Sequence, residues 1–352
     1  MQTNPGLEGL VVADTAISEV DGERGRLVIA GLDVEQLAAT HTFERAAERI
    51  LGFDVDTGDG RAAAWELLPR LGDALEHADG MDALRTGLAH LRATGDDRVD
   101  ALAAIAAAPV FVAAWNRKRT GQAPIAPDPA MGHAADYLRM TTGSTETAAV
   151  AALDAYLVTV IDHAMSASTF TTRVIASTAS DMLSALVGGV GALKGPLHGG
   201  APGPVLDMLD AIGAPENAEA WLLAELAAGR RIMGMGHRVY RVRDPRAAVL
   251  ETAIRSLDRL REGPGPRLEL ARAVETAAAK ILREKKPDRP LAANVEFYTA
   301  VLLDAVGLPR EQFSSTFAVA RLAGWSAHVL EQRRTGRLIR PSSRYVGPYA
   351  NA

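Results

Sequence analysis

Short apolar runs and turn residues alternate along the chain between Gly9 and Gly31. One apolar run ends at Ile17, a turn follows at Asp21-Gly22, and a second apolar run covers residues 27–29. Two such runs around a turn are typical of paired antiparallel strands. We therefore predict a short N-terminal β-hairpin.

Beyond residue 31 the apolar positions recur at helical spacing, in segments rich in Ala, Leu, Glu and Arg. Clusters of Gly, Pro and Asp separate these segments, so the chain is predicted to be mainly α. Thr178 with Asp181 resembles a capping box that opens a helix over Met182–Leu193. Val295–Val306 and Phe313–Leu330 are also predicted helices, and small residues in the second permit close helix packing, as at a dimer seam.

The composition narrows the class of protein. The chain has 352 residues, of which 48% are hydrophobic, with 38 Lys and Arg against 43 Asp and Glu and no Cys. A net charge of −5 argues against nucleic acid or an anionic membrane as the main partner. The lack of Cys excludes disulfide scaffolds, thiolate metal sites and thiol nucleophiles.

The sequence predicts neither a targeting segment nor a membrane span. Residues 1–9 contain no basic stretch and no apolar stretch, so we expect no secretory signal. The apolar run Ala101–Trp115 is shorter than the roughly 20 residues of a membrane span and contains Pro109. It is predicted to be a core helix, and a cytoplasmic protein is the expectation.

Common motifs of cofactor and nucleophile sites do not occur in the sequence. Gly189-Val190-Gly191 resembles the start of a dinucleotide loop, but Lys194 stands where the third glycine belongs. There is no P-loop, no Gly-x-Ser-x-Gly elbow and no His-Glu-x-x-His spacing. We therefore expect neither a bound dinucleotide nor a metal.

Three histidines are the remaining candidates for chemistry. His163 precedes a stretch rich in Ser and Thr, His198 lies within Gly195–Gly200, and His237 follows two glycines in Met233–Tyr240. Neighbouring glycines leave backbone N–H groups open to a ligand. Taken singly, each histidine is more often a packed or capping residue, so the hypothesis rests on all three.

Charged residues near these histidines strengthen that hypothesis. Arg241, Arg243 and Arg246 follow His237 within ten residues, and clustered arginines bind carboxylates or phosphates. Glu296 stands between apolar neighbours, where desolvation would raise its pKa toward that of a general base. The alternatives are a solvated basic face and a carboxylate that interacts with its helix dipole.

Several segments together resemble the citrate synthase family. The resemblance is carried by residues 162–173, 193–201, 234–246, 294–298 and 317–332, and by Thr15–Leu27 near the start. These motifs occur in order along nearly the whole chain. Only residues 50–130 lack a clear match.

The resemblance implies a mainly α, multi-helical homodimer in which a small domain closes over a large one. Residues 1–203 and 310–352 would form the large domain, and residues 204–309 the small, mobile domain on the CoA side. The implied reaction is a Claisen condensation of acetyl-CoA with oxaloacetate and hydrolysis of citryl-CoA to citrate and CoA, a step of the tricarboxylic acid cycle. Acetyl-CoA is a co-substrate, and no cofactor is bound permanently.

The resemblance also implies roles for individual residues. It places His198 on the acetyl carbonyl, His237 on the oxaloacetate carbonyl, and Glu296 as the base that removes the methyl proton. The residues that match oxaloacetate ligands are His163, Arg246, Arg321 and Arg340, the last donated by the partner subunit. The residues that lie where the family contacts CoA are Met233, Gly234, Met235, Gly236 and Arg241.

Two positions depart from the usual family pattern. Glu296 stands where most members have Asp, and misplacing a catalytic group by about 1 Å can cost about 100-fold in rate. A subgroup of second citrate synthases resembles this chain in carrying Glu there and Pro after Gly-Gly-Ala, as at Pro202. Ser166 stands where most members have Asn, which puts a hydrogen bond near oxaloacetate in doubt.

Three functions remain open at this point. The intact set of histidines and arginines favours an active citrate synthase. The closest alternative is 2-methylcitrate synthase, which uses propionyl-CoA and differs by one methylene that the sequence does not resolve. A regulatory paralogue that binds CoA or dicarboxylates with low activity is supported only by Glu296 and Ser166.

Overall fold

Helices make up most of the computed structural model, which describes residues 6–7, 9–198, 202–237, 239–261, 263, 265–285 and 291–348. Residues 199–201 of the glycine-rich segment and Arg238 lie outside the described residues. The helices are α1 Val34–Thr40, α2 Phe43–Leu51, α3 Gly58–Trp65, α4 Gly80–Ala89, α5 Asp97–Arg119, α6 His133–Thr142, α7 Thr147–Thr159, α8 Ala167–Ser177, α9 Met182–Leu193, α10 Pro202–Ile212, α11 Ala218–Ala227, α12 Pro245–Leu260, α13 Pro266–Lys285, α14 Val295–Ala305 and α15 Phe313–Thr335.

A small antiparallel sheet precedes the helices and confirms the predicted hairpin. Its strands are β1 Ser18–Asp21, β2 Arg26–Ile29 and β3 Leu32–Asp33. Ser18 pairs with Ile29, and the side chains of Leu27 and Ile29 are buried on the same face of β2. The two-residue strand β3, which the pattern did not predict, pairs with the other edge of β2.

Two long helices, α5 and α15, pack against each other in the core. Within the described ranges, α5 alone is long and apolar enough to cross a membrane, and 83% of its most apolar window is buried inside the protein. It also contains Pro109 within its length. These features fit the predicted core helix.

The small residues of α15 have a different role from the predicted dimer seam. Ala318, Ala320 and Ala323 are completely buried within one chain, where α15 packs against α2, α5, α8 and α9. A Cβ atom on Gly324 would overlap the backbone carbonyl oxygen of Ile161. The small side chains therefore allow close packing inside the subunit.

The helix α9 has the predicted bounds but a different cap. Asp181 is the N-cap residue, and its carboxylate accepts hydrogen bonds from the backbone N–H and hydroxyl of Ser184 at 2.8 and 2.7 Å. Thr178 instead ends α8, where its N–H donates to backbone carbonyls. The predicted capping box at Thr178 is therefore wrong, because the chain turns between the two helices at residues 179–180.

The helices α10 to α14 pack mainly on one another, and α12 also packs along α7. At the end of α12, Arg261 forms a bidentate pair with Glu146 before α7, with N–O distances of 2.8 and 2.6 Å. The same guanidinium donates to the backbone carbonyl of Ala305 at 2.7 Å. The division into domains at residues 204 and 309 stays a prediction.

The N-terminal segment is tied to the C-terminal helix. The backbone N–H of Ala16 donates to Oε1 of Glu331 at 2.9 Å, and Glu331 also pairs with Arg173 at 2.7 Å. Both members of this ion pair are buried. This contact fixes the hairpin against α8 and α15, beside the segment that carries His163.

Candidate active site

Two of the predicted histidines meet although 74 residues separate them in the sequence. The ring centroids of His163 and His237 lie 5.6 Å apart, and the ring of Tyr240 lies 4.7 Å from His237. Nε2 of His163 is 3.2 Å from the Tyr240 hydroxyl. Burial lowers the pKa of His163 well below its usual value, and Arg246 acts in the same direction.

The hydrogen bonds of His237 define which ring nitrogen carries the proton. Nδ1 accepts backbone N–H bonds from Val239 and Tyr240 at 2.9 and 3.1 Å. Burial, and then the charge of Arg246, lower the pKa of His237 to about 4. The ring is therefore neutral at pH 7 with its proton on Nε2, which leaves Nε2–H as the free donor.

His198 has the opposite proton position. Its Nε2 lies 2.8 Å from the hydroxyl of Ser168 and 3.3 Å from the backbone N–H of that residue. Because the backbone N–H can only donate, Nε2 is an acceptor, and the Ser168 hydroxyl, which itself accepts from the indole N–H of Trp325 at 3.2 Å, donates its proton to His198. Burial, and then Arg321, lower the pKa of His198 to about 4, so the neutral ring presents Nδ1–H.

Two of the predicted arginines, Arg246 and Arg321, are buried. Arg246 forms a bidentate pair with Asp244, with N–O distances of 3.0 and 2.7 Å. Nε of Arg321 donates to the backbone carbonyl of Val160 at 2.8 Å, whereas its Nη2 has no hydrogen-bond partner among the described residues. Because a buried guanidinium N–H without a partner is costly, Arg321 is suited to an anionic ligand.

The carboxylate of Glu296 lies in the first turn of α14. Burial raises its pKa above the usual value, while the charges of Arg246 and Arg321 oppose the shift. Asp244 connects this helix to the arginine, because Oδ2 accepts from the N–H of Val295 at 3.2 Å. A carboxylate with a raised pKa beside two guanidinium groups can act as a general base.

The glycine-containing segment 233–236 is joined to the residues just before α14. The N–H of Gly236 donates to Ala292 at 2.7 Å, and the N–H of Asn294 donates to Gly234 at 3.0 Å. Gly234 and Gly236 have φ values of +71° and +90°, which favour glycine. This pairing places the predicted CoA-binding backbone next to Glu296.

The structure does not bring the other two predicted binding residues into this cluster. Arg340 lies in the exposed segment after α15. Arg241 is also exposed, 3.9 Å from Glu23 in the hairpin turn. Ser166 caps α8, where its hydroxyl accepts from the N–H of Thr169 at 3.3 Å.

Three supporting residues were missed by the sequence reasoning. Ser168 orients His198, Asp244 holds Arg246, and Tyr240 contacts His163. Ser168 and Tyr240 lie inside the segments singled out for other residues, and Asp244 precedes a proline that begins α12. The polarity of these residues is visible in the sequence, but their partners are not.

The arrangement fits acid–base chemistry on an anionic substrate. It offers two neutral histidines that present N–H donors, one carboxylate with a raised pKa and two buried guanidinium groups. Such donors stabilise an oxyanion or enolate while the carboxylate removes a proton. Across the residues that the structure describes, no group of three or more His, Asp and Glu side chains could hold a metal ion.

Comparison with known proteins places these features in one family. Residues 6–342 match the family model described as citrate synthase, C-terminal domain. The chain is 38% identical to a putative citrate synthase 2 of Mycobacterium tuberculosis over 98% of this chain and 93% of that protein. It is 35% identical to a 2-methylcitrate synthase of the same species, over 97% and 90% of the two chains.

Solved structures agree with this result. A crystal structure of citrate synthase from Thermotoga maritima superimposes with a TM-score of 0.86 at 32% identity, covering 99% of this chain and 96% of that one. Citrate synthase from Thermoplasma acidophilum, solved with carboxymethyl coenzyme A and oxaloacetate, gives a TM-score of 0.85 at 25% identity. The coverage is 99% of this chain and 97% of that chain.

Proposed function

The chain belongs to the citrate synthase family of acyl-transferring enzymes, and from this premise we propose that it condenses acetyl-CoA with oxaloacetate. The observation that carries this proposal is the convergence of His163, His237, Arg246, Arg321 and Glu296 from four separate segments. A family member from Thermoplasma acidophilum was solved with oxaloacetate and a CoA derivative, which supports the same pair of ligands here.

In the proposed complex, the arginines bind the carboxylates of oxaloacetate. Arg321 would donate through Nη2, the nitrogen that lacks a partner among the described residues. Arg246 keeps its charge because Asp244 reverses the lowering of its pKa by burial, so that the net shift is upward. Nε2–H of His237 would then donate to the ketone oxygen and polarise the carbonyl carbon.

The next step is removal of a methyl proton from acetyl-CoA. We assign this proton to the carboxylate of Glu296, whose raised pKa suits a base that acts on a weak carbon acid. Nδ1–H of His198 would donate to the thioester oxygen as negative charge develops there. The glycine segment 233–236 adjoins the start of α14, which carries Glu296, and this supports a thioester site next to the base.

The new carbon–carbon bond forms when the enolate carbon attacks the polarised ketone carbon. The ketone oxygen becomes an alkoxide and takes up one proton, while protonated Glu296 gives up the proton it removed, which yields citryl-CoA and restores the carboxylate. Water then cleaves the thioester, so that one acetyl-CoA, one oxaloacetate and one water yield citrate, CoA and one proton. Neutral His237 stabilises the alkoxide by hydrogen bonding, since its low pKa disfavours the imidazolium form.

A homodimer is proposed as the active form. Arg340 lies in the exposed C-terminal segment, which follows α15 and lines a cavity of about 900 Å³ with the N-terminal segment. Leu338 and Val346 in the same segment are 59% and 83% exposed. We propose that Arg340 reaches the active site of the partner subunit, where it adds a third guanidinium for the substrate.

A second candidate function is favoured by one comparison. The 2-methylcitrate synthase of Mycobacterium tuberculosis is nearly as similar to this chain as the putative citrate synthase 2. The two reactions differ by one methylene of the thioester, which is typically worth about 1–3 kcal/mol. The acetyl and propionyl thioesters must therefore be compared directly.

A steady-state assay that follows CoA release tests the proposal. Oxaloacetate is held at saturation, and kcat/KM is measured with acetyl-CoA and with propionyl-CoA. A higher value with acetyl-CoA is expected, whereas a higher value with propionyl-CoA would select the second candidate. If neither thioester is consumed while calorimetry detects binding of both substrates, the chain is a binding protein and the enzymatic proposal is wrong.

A further inference from the structure

The N-terminal hairpin contacts the segment that carries His163. Ser18 on β1 donates its hydroxyl proton to Oδ2 of Asp162 at 2.5 Å. The same hydroxyl accepts from the backbone N–H of Ala164 at 2.8 Å. Ala164 has a φ of +46°, an uncommon value for a residue with a side chain, so these bonds hold a strained backbone directly after His163.

Asp162 is itself fixed by a buried chain of polar groups. Nε2 of His328 lies 3.3 Å from Oδ1 of Asp162, and Nδ1 of His328 lies 3.1 Å from a guanidinium nitrogen of Arg173. Arg173 is paired with Glu331, which also accepts from the N–H of Ala16 just before the hairpin. The contact between Ser18 and Asp162 is therefore held on the Asp162 side by His328, and on the hairpin side by the bond from Ala16 to Glu331.

The turn of the same hairpin contacts the segment that carries His237. The carbonyl of Gly22 accepts from the backbone N–H of Arg241 at 2.9 Å. A Cβ atom at Gly22 would overlap the carbonyl oxygen of Val239 and lie 2.9 Å from its carbonyl carbon. Val239 is one of the two residues whose N–H groups fix Nδ1 of His237.

From these two contacts we propose that the hairpin is a positioning element, which holds the His163 and His237 segments at the spacing that oxaloacetate requires. Ser18 and Gly22 are the positioning residues, four positions apart on β1 and the turn that follows it. The choice of oxaloacetate as the substrate rests on the proposed function. In this proposal the hairpin acts on the substrate site indirectly, through its contacts with Ala164, Val239 and Arg241.

The variant Gly22→Ala tests the second contact. Its new methyl group would push the turn away from Val239, whereas Gly31→Ala is a matched control in the same sheet. A Cβ atom at Gly31 meets nothing within 4 Å, although its φ of +82° strains the variant. Hydrogen exchange of the full-length protein should be faster over residues 239–244 in Gly22→Ala and unchanged in Gly31→Ala.

Oxaloacetate binding is the functional readout, measured by calorimetry and as the KM at saturating acetyl-CoA. Displacement of His237 would break its hydrogen bond to oxaloacetate, and the loss of one such bond predicts an affinity loss of about tenfold in Gly22→Ala. Gly31→Ala should stay within about twofold, and the KM for acetyl-CoA should change little in either variant. Ser18→Ala, which removes only a buried hydroxyl, should repeat the loss through the first contact.

Two results would overturn the proposal. One is normal oxaloacetate affinity in Gly22→Ala and Ser18→Ala, and the other is an equal loss in Gly31→Ala, which would indicate a general loss of stability. If Gly22→Ala does not fold, Ser18→Ala decides. If the wild-type protein itself fails to bind oxaloacetate, the proposed function is wrong, and the exchange data alone decide whether the hairpin holds the His237 segment.

Discussion

The shorter of the two hydrogen bonds that set the proton position of His198 comes from the Ser168 hydroxyl, and Ser168→Ala removes it. In the wild-type protein the hydroxyl lies 2.8 Å from Nε2 of His198 and accepts from the indole N–H of Trp325. After the substitution, Nε2 keeps only the backbone N–H of residue 168, at 3.3 Å. With this weaker bond alone, the tautomer that carries the proton on Nε2 becomes more populated, and its Nδ1 has no proton to donate to the thioester.

The size of the effect follows from these contacts. The bond between the Ser168 hydroxyl and neutral His198 is worth about 1 kcal/mol. The indole N–H of Trp325 also loses its acceptor, and a buried donor without a partner costs about 1–3 kcal/mol. We expect about 1.4–2 kcal/mol of this to appear in the barrier to enolisation, which corresponds to a kcat about 10- to 30-fold lower. The KM for oxaloacetate should change little, because His198 is assigned to the other substrate.

The kinetic assay is steady-state CoA release at saturating oxaloacetate, and ¹⁵N NMR of histidine reports the tautomer of His198. Thr171→Ala is the control, because it removes from the same helix a hydroxyl that donates to the carbonyl of Ala167, one turn earlier. A melting temperature excludes global unfolding. Wild-type kcat in Ser168→Ala would refute the reasoning, as would an unchanged Nδ1–H signal together with a lower kcat.

The other predictions concern the base, the substrate carboxylates, pH and the dimer. Glu296→Gln should lower kcat at least about 100-fold with nearly unchanged oxaloacetate affinity by calorimetry, and a variant of equal activity would remove Glu296 as the base. Arg321→Gln should raise the KM for oxaloacetate about tenfold or more while the KM for acetyl-CoA stays within about threefold, since a charge-assisted bond is worth about 1.5–3 kcal/mol. Folding lowers the pKa values of His198 and His237 from 6.5 to about 4. The free energy of unfolding should therefore be highest above pH 6.5 and decline toward pH 4, because the unfolded chain binds protons there that the folded chain does not. Urea unfolding at several pH values measures this free energy, and a flat profile would contradict the prediction. Mixing inactive His198→Ala and Arg340→Ala chains should restore partial activity, and no recovery despite proven subunit exchange would count against a shared active site.

Much of the fold follows from local sequence patterns. Alternation around the turn at Asp21-Gly22 predicted the hairpin, and helical spacing predicted α9, α14 and α15 to within a few residues. These elements form where apolar period and turn residues agree. The cap of α9 was wrong because Thr178 and Asp181 are both suitable capping residues, and only the backbone path between α8 and α9 separates them.

The active site was predictable only in part. Glycines beside His237 and clustered arginines mark chemistry within a single segment. In contrast, Ser168 is paired with Trp325, 157 residues away, and Asp162 with His328, 166 residues away. Such pairs depend on how α8 and α15 are rotated against each other. A pattern of residue types along the sequence does not predict that rotation.

The small residues of α15 illustrate a second limit. Alanine and glycine permit close approach to any neighbour, whether it belongs to the same chain or to a partner. The structure assigns Gly324 to the contact with Ile161, inside the subunit. The sequence therefore correctly indicated close packing at this helix but misidentified its neighbour.

The bond between Ala16 and Glu331 also has a consequence for biosynthesis. The two residues are 315 positions apart, so at roughly 5–20 residues per second the ribosome needs about 15–60 s to pass from one to the other. For that time the emerging hairpin lacks the helix that receives it. The active site can therefore form only near the end of translation, and a nascent chain stalled before α15 would be an inactive client for chaperones and proteases.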